Sequence, residues 1–254
     1  MIKLIKNELI KLGSGRRLQS FLLLLVASQL IPVLVTFVSG IKAFEAQTYP
    51  LSMLGFTASW LLPIFLIVII AQLVTDEYSS GTLVLSLIHP VSRGKLLAAK
   101  LLTLLLLILG SLGLSLLLAY VIGIVFFGWS PDFVLRGVSY SLLGGITKTI
   151  GAHLVAALPL LAFSALVLLL ALTFNSSSVV VGIAVSLLFA SMVLGQAIPS
   201  LRPFLITFYF TDLSYSLFFS EDSIQLTKGF VIVGLYGLIP YAISNIIFKR
   251  RDLL

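Results

Sequence analysis

The chain has 254 residues, of which 59% are hydrophobic and only 10% charged, and its formal charge is +7. A water-soluble domain is about 45–50% apolar and about 25% charged, so this composition excludes an ordinary soluble fold and leaves the lipid bilayer as the solvent. Cysteine is absent, which excludes disulfides, thiol catalysis and thiolate metal centres.

Residues 2–12 read as an amphipathic helix, with Ile2, Ile5, Leu9 and Leu12 on one face and Lys3, Asn7 and Lys11 on the other. Such a helix lies in the headgroup plane with its lysines toward anionic lipid, so 1–17 is expected to be interfacial. Leu18–Ile41 then runs 24 residues without a charge. That is spanning length, longer than the apolar core of a secretory signal, and the segment is expected to be retained. Further spans are predicted at 52–74, 96–127, 145–172, 179–198 and 229–248. The fourth and fifth share one uncharged run, Thr149–Leu201, cut at Thr173-Phe-Asn-Ser-Ser-Ser178, where short polar side chains compete for backbone hydrogen bonds. The expected fold is all-α: one polytopic domain of six transmembrane helices.

Lys and Arg set the orientation. With the N-terminus inside, the inner segments hold eleven bases and four acids, and the outer segments five of each. The whole excess of positive charge then lies on the cytoplasmic face, so both termini are expected there and no nucleic-acid partner is needed to explain it.

Two connections stand out. Residues 75–95, on the inner side, carry Leu83, Leu85, Leu87 and Ile88 in a stretch too short to span and too apolar for water. Thr82 can cap a short helix that Pro90 stops, and Ser92 can cap the third span. This helix either lies on the bilayer surface or docks on a cytoplasmic partner. Residues 199–228, on the outer side, carry Phe204, Phe208, Tyr209 and Phe210 among seven aromatics before residue 220, and belong at or in the outer interface. On the fifth span, Gly182, Ser186 and Ala190 recur every fourth position and permit a close helix approach, either within the chain or to another subunit.

Catalytic patterns are missing from the sequence. Gly144-Gly-Ile-Thr-Lys-Thr149 lacks the second glycine and the strand–helix context of a phosphate-binding loop. His89 and His153 fall on opposite sides of the membrane, and no acid lies in the middle of a span. His153 reads as a packing residue or a substrate contact near the outer mouth. No metal site is expected, and the chain is not expected to be an enzyme.

Glu77-Tyr78-x-x-Gly81-Thr82-Leu83, followed by Pro90-Val91-Ser92-Arg93-x-Lys95, resembles the signature of ABC type-2 exporter permeases. Asn7-Glu8-Leu9-x-Lys11 ahead of the first span is similar to that family's interfacial connecting helix. The resemblance implies that the loop is a coupling helix, that Glu77, Tyr78, Gly81, Thr82, Leu83, Leu85, Leu87, Pro90, Arg93 and Lys95 contact a separate ATPase, and that ATP and Mg are bound there. It further implies a dimeric permease with two ATPase subunits, with Phe204, Phe208, Tyr209 and Phe210 near an outer gate; the lack of a targeting segment and the retained first span lead to the expectation of a bacterial cytoplasmic membrane. Relatives of this kind serve peptide-antibiotic immunity, drug efflux or sodium extrusion. The expected cargo is hydrophobic or amphipathic: a peptide antibiotic, drug or lipid. The alternatives are an ATP-independent carrier or sodium efflux permease and, third, a membrane enzyme acting on lipid or peptide.

Overall fold

The structure, a computed structural model, describes residues 1–13, 16–40, 44–79, 92–130, 132–135, 137–219 and 223–250. Six helices are long and apolar enough to cross a membrane: Arg16–Ser39, Tyr49–Thr75, Arg93–Phe126, Leu142–Thr173, Ser177–Ala197 and Leu226–Arg250. The expected all-α, six-span fold is therefore present. Inside hydrocarbon the backbone must satisfy its own hydrogen bonds, and uninterrupted Leu, Ile, Val and Ala runs do so as helices. The break between the fourth and fifth spans falls where the polar run lies, between Thr173 and Ser177. Ser141 caps the fourth span by accepting from the Gly144 N–H (3.2 Å). Ser92 occupies the corresponding position of the third span in an extended conformation, but its side chain makes no capping bond.

The fourth span is the centre of the bundle. In the most apolar stretch of the second and fourth spans 61% of residues are buried, against 17% in the fifth and 11% in the sixth. The fourth packs on the second, third and sixth spans and on the helix Tyr209–Phe219; the fifth leans on the second. The second span is not one uniform helix. Residues Thr57–Leu61 form a π-turn, which inserts a residue into the helical phase. Thr57 thereby turns inward while Trp60 is exposed.

Between the third and fourth spans lies a small antiparallel hairpin, Phe133–Leu135 with Val138–Tyr140, turned at Gly137 with φ +81°. Phe133 is fully buried and its ring lies over Gly145, where a Cβ would overlap it. The same ring stacks on Phe218 (centroids 6.2 Å, planes 6° apart), and Tyr140 meets both edge-on. The Tyr140 hydroxyl donates to the Phe218 carbonyl oxygen (2.7 Å). The hairpin and the helix Tyr209–Phe219 are thus clasped at the same end of the bundle.

The N-terminal helix, Ile2–Gly13, rests on the opposite, basic end. Its inward residue is an acid: Glu8 is 3% exposed, while Ile2 and Leu9 face away from the protein. Lys100 receives it. The third span begins at Arg93, so Lys100 lies two turns inside that helix.

Candidate functional site

The expected ATPase-contact residues are only partly open to description. Gly81, Thr82, Leu83, Leu85, Leu87 and Pro90 fall outside the described residues, and Glu77 and Tyr78 are described only as part of the helix Leu62–Ser79. Lys95 is exposed at the basic end. Arg93 has partners in its own chain: its guanidinium donates to the carbonyl oxygens of Phe248 and Lys249, each at 3.1 Å. Those carbonyls belong to the last turn of the sixth span, where acceptors have no helical partner and a cation is favoured. Gly94 lies close to Asn245 on the same helix. The start of the third span is thus fastened to the end of the sixth.

At the opposite end a cavity of about 280 Å³ opens between the second span, the fifth span and the segment 199–208. The π-turn supplies Ser59 and Trp60. The fifth span contributes Ser191 and Gln196, with Met192 as apolar wall, and the outer segment contributes Arg202 and Phe208. Ser191 and Thr207 share a hydrogen bond across the site (2.7 Å). The Arg202 Nε donates to the Gly195 carbonyl oxygen (2.6 Å), which fixes the guanidinium and neutralises an acceptor near the helix end. Chemically the cavity can bind but has nothing with which to cleave: one cation, hydroxyls, an amide and aromatic walls.

The four aromatics expected near an outer gate separate. Phe208 lines this cavity. Phe204 is 65% exposed at the surface. Tyr209 is buried, and burial first, then nearby Asp212 and Tyr236, push its phenol above the ordinary value. It stays protonated and donates to the Pro203 carbonyl oxygen (2.6 Å). Phe210 is fully buried edge-on to Phe163 (5.5 Å, 82°). In this conformation it packs the core and lines no passage.

Gly182, Ser186 and Ala190 are exposed along the fifth span, and a Cβ at Gly182 would meet nothing within 4 Å. Of the two uses a small-residue stripe can have, packing within this chain is not the one it serves here. His153 is buried, with Nδ1 2.8 Å from the Thr149 carbonyl oxygen.

A buried polar cluster leaves no signal in the sequence pattern. The Gln29 amide donates to the Ser115 hydroxyl (2.8 Å), which lies 3.2 Å from the Thr57 hydroxyl, and the Tyr49 hydroxyl donates to the Gln29 carbonyl oxygen. It joins the first three spans and holds the π-turn from behind, opposite the cavity that Ser59 and Trp60 line. No group of three or more His, Cys, Asp or Glu that could hold a metal occurs among the described residues.

Residues 4–193 match the family described as ABC-2 family transporter protein. The chain belongs to the ABC-2 transporter family. The match takes in most of the N-terminal helix, the first four spans, the fifth span as far as residue 193 and the second-to-third connection, while the segment 199–219 and the sixth span lie beyond it. The chain is also similar to an uncharacterized protein of Bacillus subtilis (strain 168), YhcI, with 26% identity over 210 residues. That alignment covers 75% of this chain and 64% of the relative, so the chain spans less than two thirds of that protein's length.

Proposed function

We propose that this chain is the permease subunit of an ATP-driven exporter that moves a hydrophobic or amphipathic molecule outward. The ABC-2 match over residues 4–193 carries the reading. The sequence has six spans and no phosphate-binding loop, so ATP and Mg belong to a separate cytoplasmic ATPase, present in two copies. The basic end faces the cytoplasm, with both termini. The connection 75–95 docks on the ATPase, where Leu83, Leu85 and Leu87 each contribute about 1.5–3 kcal/mol at full burial, less the cost of association. A second permease subunit packs on the open stripe Gly182, Ser186 and Ala190. The cavity beside Phe208 lies at the outer exit. A sodium path is less well supported, because a hydrated ion needs charged or polar groups along its whole route and no acid lies in the middle of a span.

The test is co-expression with each phosphate-binding-loop ATPase of the ABC type from the same genome, followed by detergent purification of the tagged permease. The ATPase is expected to co-purify, and Leu85→Asp with Leu87→Asp to release it while membrane insertion persists. Failure of the unaltered chain to retain any such ATPase would overturn the reading.

A further inference from the structure

We propose that the outer cavity takes the negatively charged head of a lipid-like amphipath, and that Arg202 is the residue that selects for that charge. The inference rests on the export reading above and narrows its substrate class.

The lining of the cavity contains one charged side chain, Arg202, and no acid. A guanidinium has five donors in a planar fork that matches carboxylate and phosphate oxygens. One of them, Nε–H, is spent on the Gly195 carbonyl. The bond fixes the direction of the fork and leaves the terminal amino groups for a ligand. The carbonyl end of the fifth span works against an anion, but the capped carbonyl is the one nearest the guanidinium, and a full positive charge outweighs the roughly half charge of a helix end. Ser59, Gln196 and the Ser191–Thr207 pair add neutral donors around the same space.

Size decides how much of the molecule enters. About 280 Å³ is the liquid volume of roughly nine waters, at the low end for a whole small-molecule ligand. It accommodates a head group and its first methylenes, against Trp60, Met192 and Phe208. The remaining tail must lie outside. Ile198, Leu201 and Phe204, all exposed beside Arg202, present an apolar flank for it at the bilayer surface. A cationic peptide would meet the guanidinium as a like charge.

The chain has two tryptophans, one of which lines the cavity, so Trp129→Phe leaves Trp60 as sole reporter. The purified full-length chain in detergent is titrated with brominated fatty acid (anionic), brominated lysophosphatidylcholine (zwitterionic) and a brominated quaternary-amine amphipath (cationic), all of one chain length. Trp60 quenching is expected at about tenfold lower concentration for the fatty acid than for the others, one charge-assisted hydrogen bond's worth. Arg202→Gln should erase the preference, and Arg202→Lys should retain most of it. Gln196→Glu, which leaves the Arg202–Gly195 bond untouched, should also erase it and guards against misfolding at the cap. Equal quenching by the three probes, tightest quenching by the cationic one, or a preference that survives both Arg202→Gln and Gln196→Glu would overturn the proposal. The titration needs no ATPase. A chain that exports with its ATPase yet shows no anionic preference loses the head-group assignment alone; loss of ATPase co-purification strikes the export reading instead.

Discussion

Glu8 on the N-terminal helix and Lys100 in the third span form an ion pair of 2.9 Å in which both side chains are only 3% exposed. Lys100 also donates to the Leu73 carbonyl oxygen of the second span (3.1 Å), and Lys11 approaches Glu8 from the open side (3.2 Å). One salt bridge therefore joins the surface helix to two spans. Breaking a buried pair by removing one partner leaves an uncompensated charge and costs about 3–5 kcal/mol, whereas replacing both by apolar groups is often neutral. Glu8→Ala or Lys100→Ala should lower the melting temperature in detergent sharply, and Glu8→Leu with Lys100→Leu should recover most of it. Additive losses in the double variant would count against the pair as the organising contact. The Leu73 carbonyl, inside a helix, keeps its backbone bond in either case.

Arg93 should act as a fastener for the last helix. Arg93→Ala removes two donors from the carbonyls of Phe248 and Lys249, at a cost of about 1 kcal/mol for partly exposed bonds. The expected result is faster hydrogen exchange over residues 245–250 with the rest of the bundle unchanged. Exchange at wild-type rates would show that the end of the sixth span is held by other contacts.

Membrane orientation can be read with single cysteines, since there is no native thiol. Burial decides where to put them: Ala46 and Phe133 are fully buried and would stay silent on either side. Ser139, on the hairpin, and Ser92, at the basic end, are exposed. An impermeant maleimide on intact cells should label Ser139→Cys and spare Ser92→Cys. The reverse pattern would invert the topology.

Two glycines should respond oppositely to a methyl group. Gly145→Ala drives a Cβ into the Phe133 ring, an overpacking worth about 1–3 kcal/mol of destabilisation. Gly182→Ala meets open space and should be neutral, or stabilising by up to about 1 kcal/mol from helix propensity. Gly182→Leu should leave the monomer's melting temperature unchanged yet reduce self-association by cross-linking, if the stripe is where a second subunit packs.

Phe208 and Phe210 should divide function from folding. Phe210→Ser empties a filled core site and should cost about 3–5 kcal/mol, seen as poor yield and early melting. Phe208→Ser should fold normally and lower tolerance to lipophilic or membrane-active compounds in cells expressing the complex. Sodium tolerance as the sole phenotype, indifferent to Phe208→Ser, would contradict an amphipathic cargo.

The spans were legible because absence of charge over some 20 residues is a one-dimensional signal, and the break near Asn175 because competing side chains act locally. The same logic is silent on Lys100: the acid that neutralises it inside the third span, Glu8, lies 92 positions away. Thr57–Leu61 carries no compositional trace of its π-turn, so neither the exposure of Trp60 nor its closeness to Ser191 could be foreseen. Arg202 counted only as one outer base among five, and an aromatic-rich stretch does not reveal that Phe210 is packed while Phe208 lines a cavity. The expected coupling residues from Gly81 to Pro90 are legible as a motif alone, because they lie outside the described residues.

The fastening by Arg93 has a mechanical meaning when the far end of the same helix is considered. The sixth helix runs 28 residues, Ser223–Arg250, or about 42 Å at 1.5 Å per residue. Near its start a Cβ on Gly229 would crowd Leu213 and Tyr209, and two turns further on, at mid-helix, the Tyr236 hydroxyl donates to the Phe204 carbonyl oxygen (2.7 Å). The helix is thus tied to the start of the third span at its last turn and to the segment 199–219 along its first half. A displacement of the start of the third span is expected to reach Arg202 and Phe208, one wall of the cavity, along this helix.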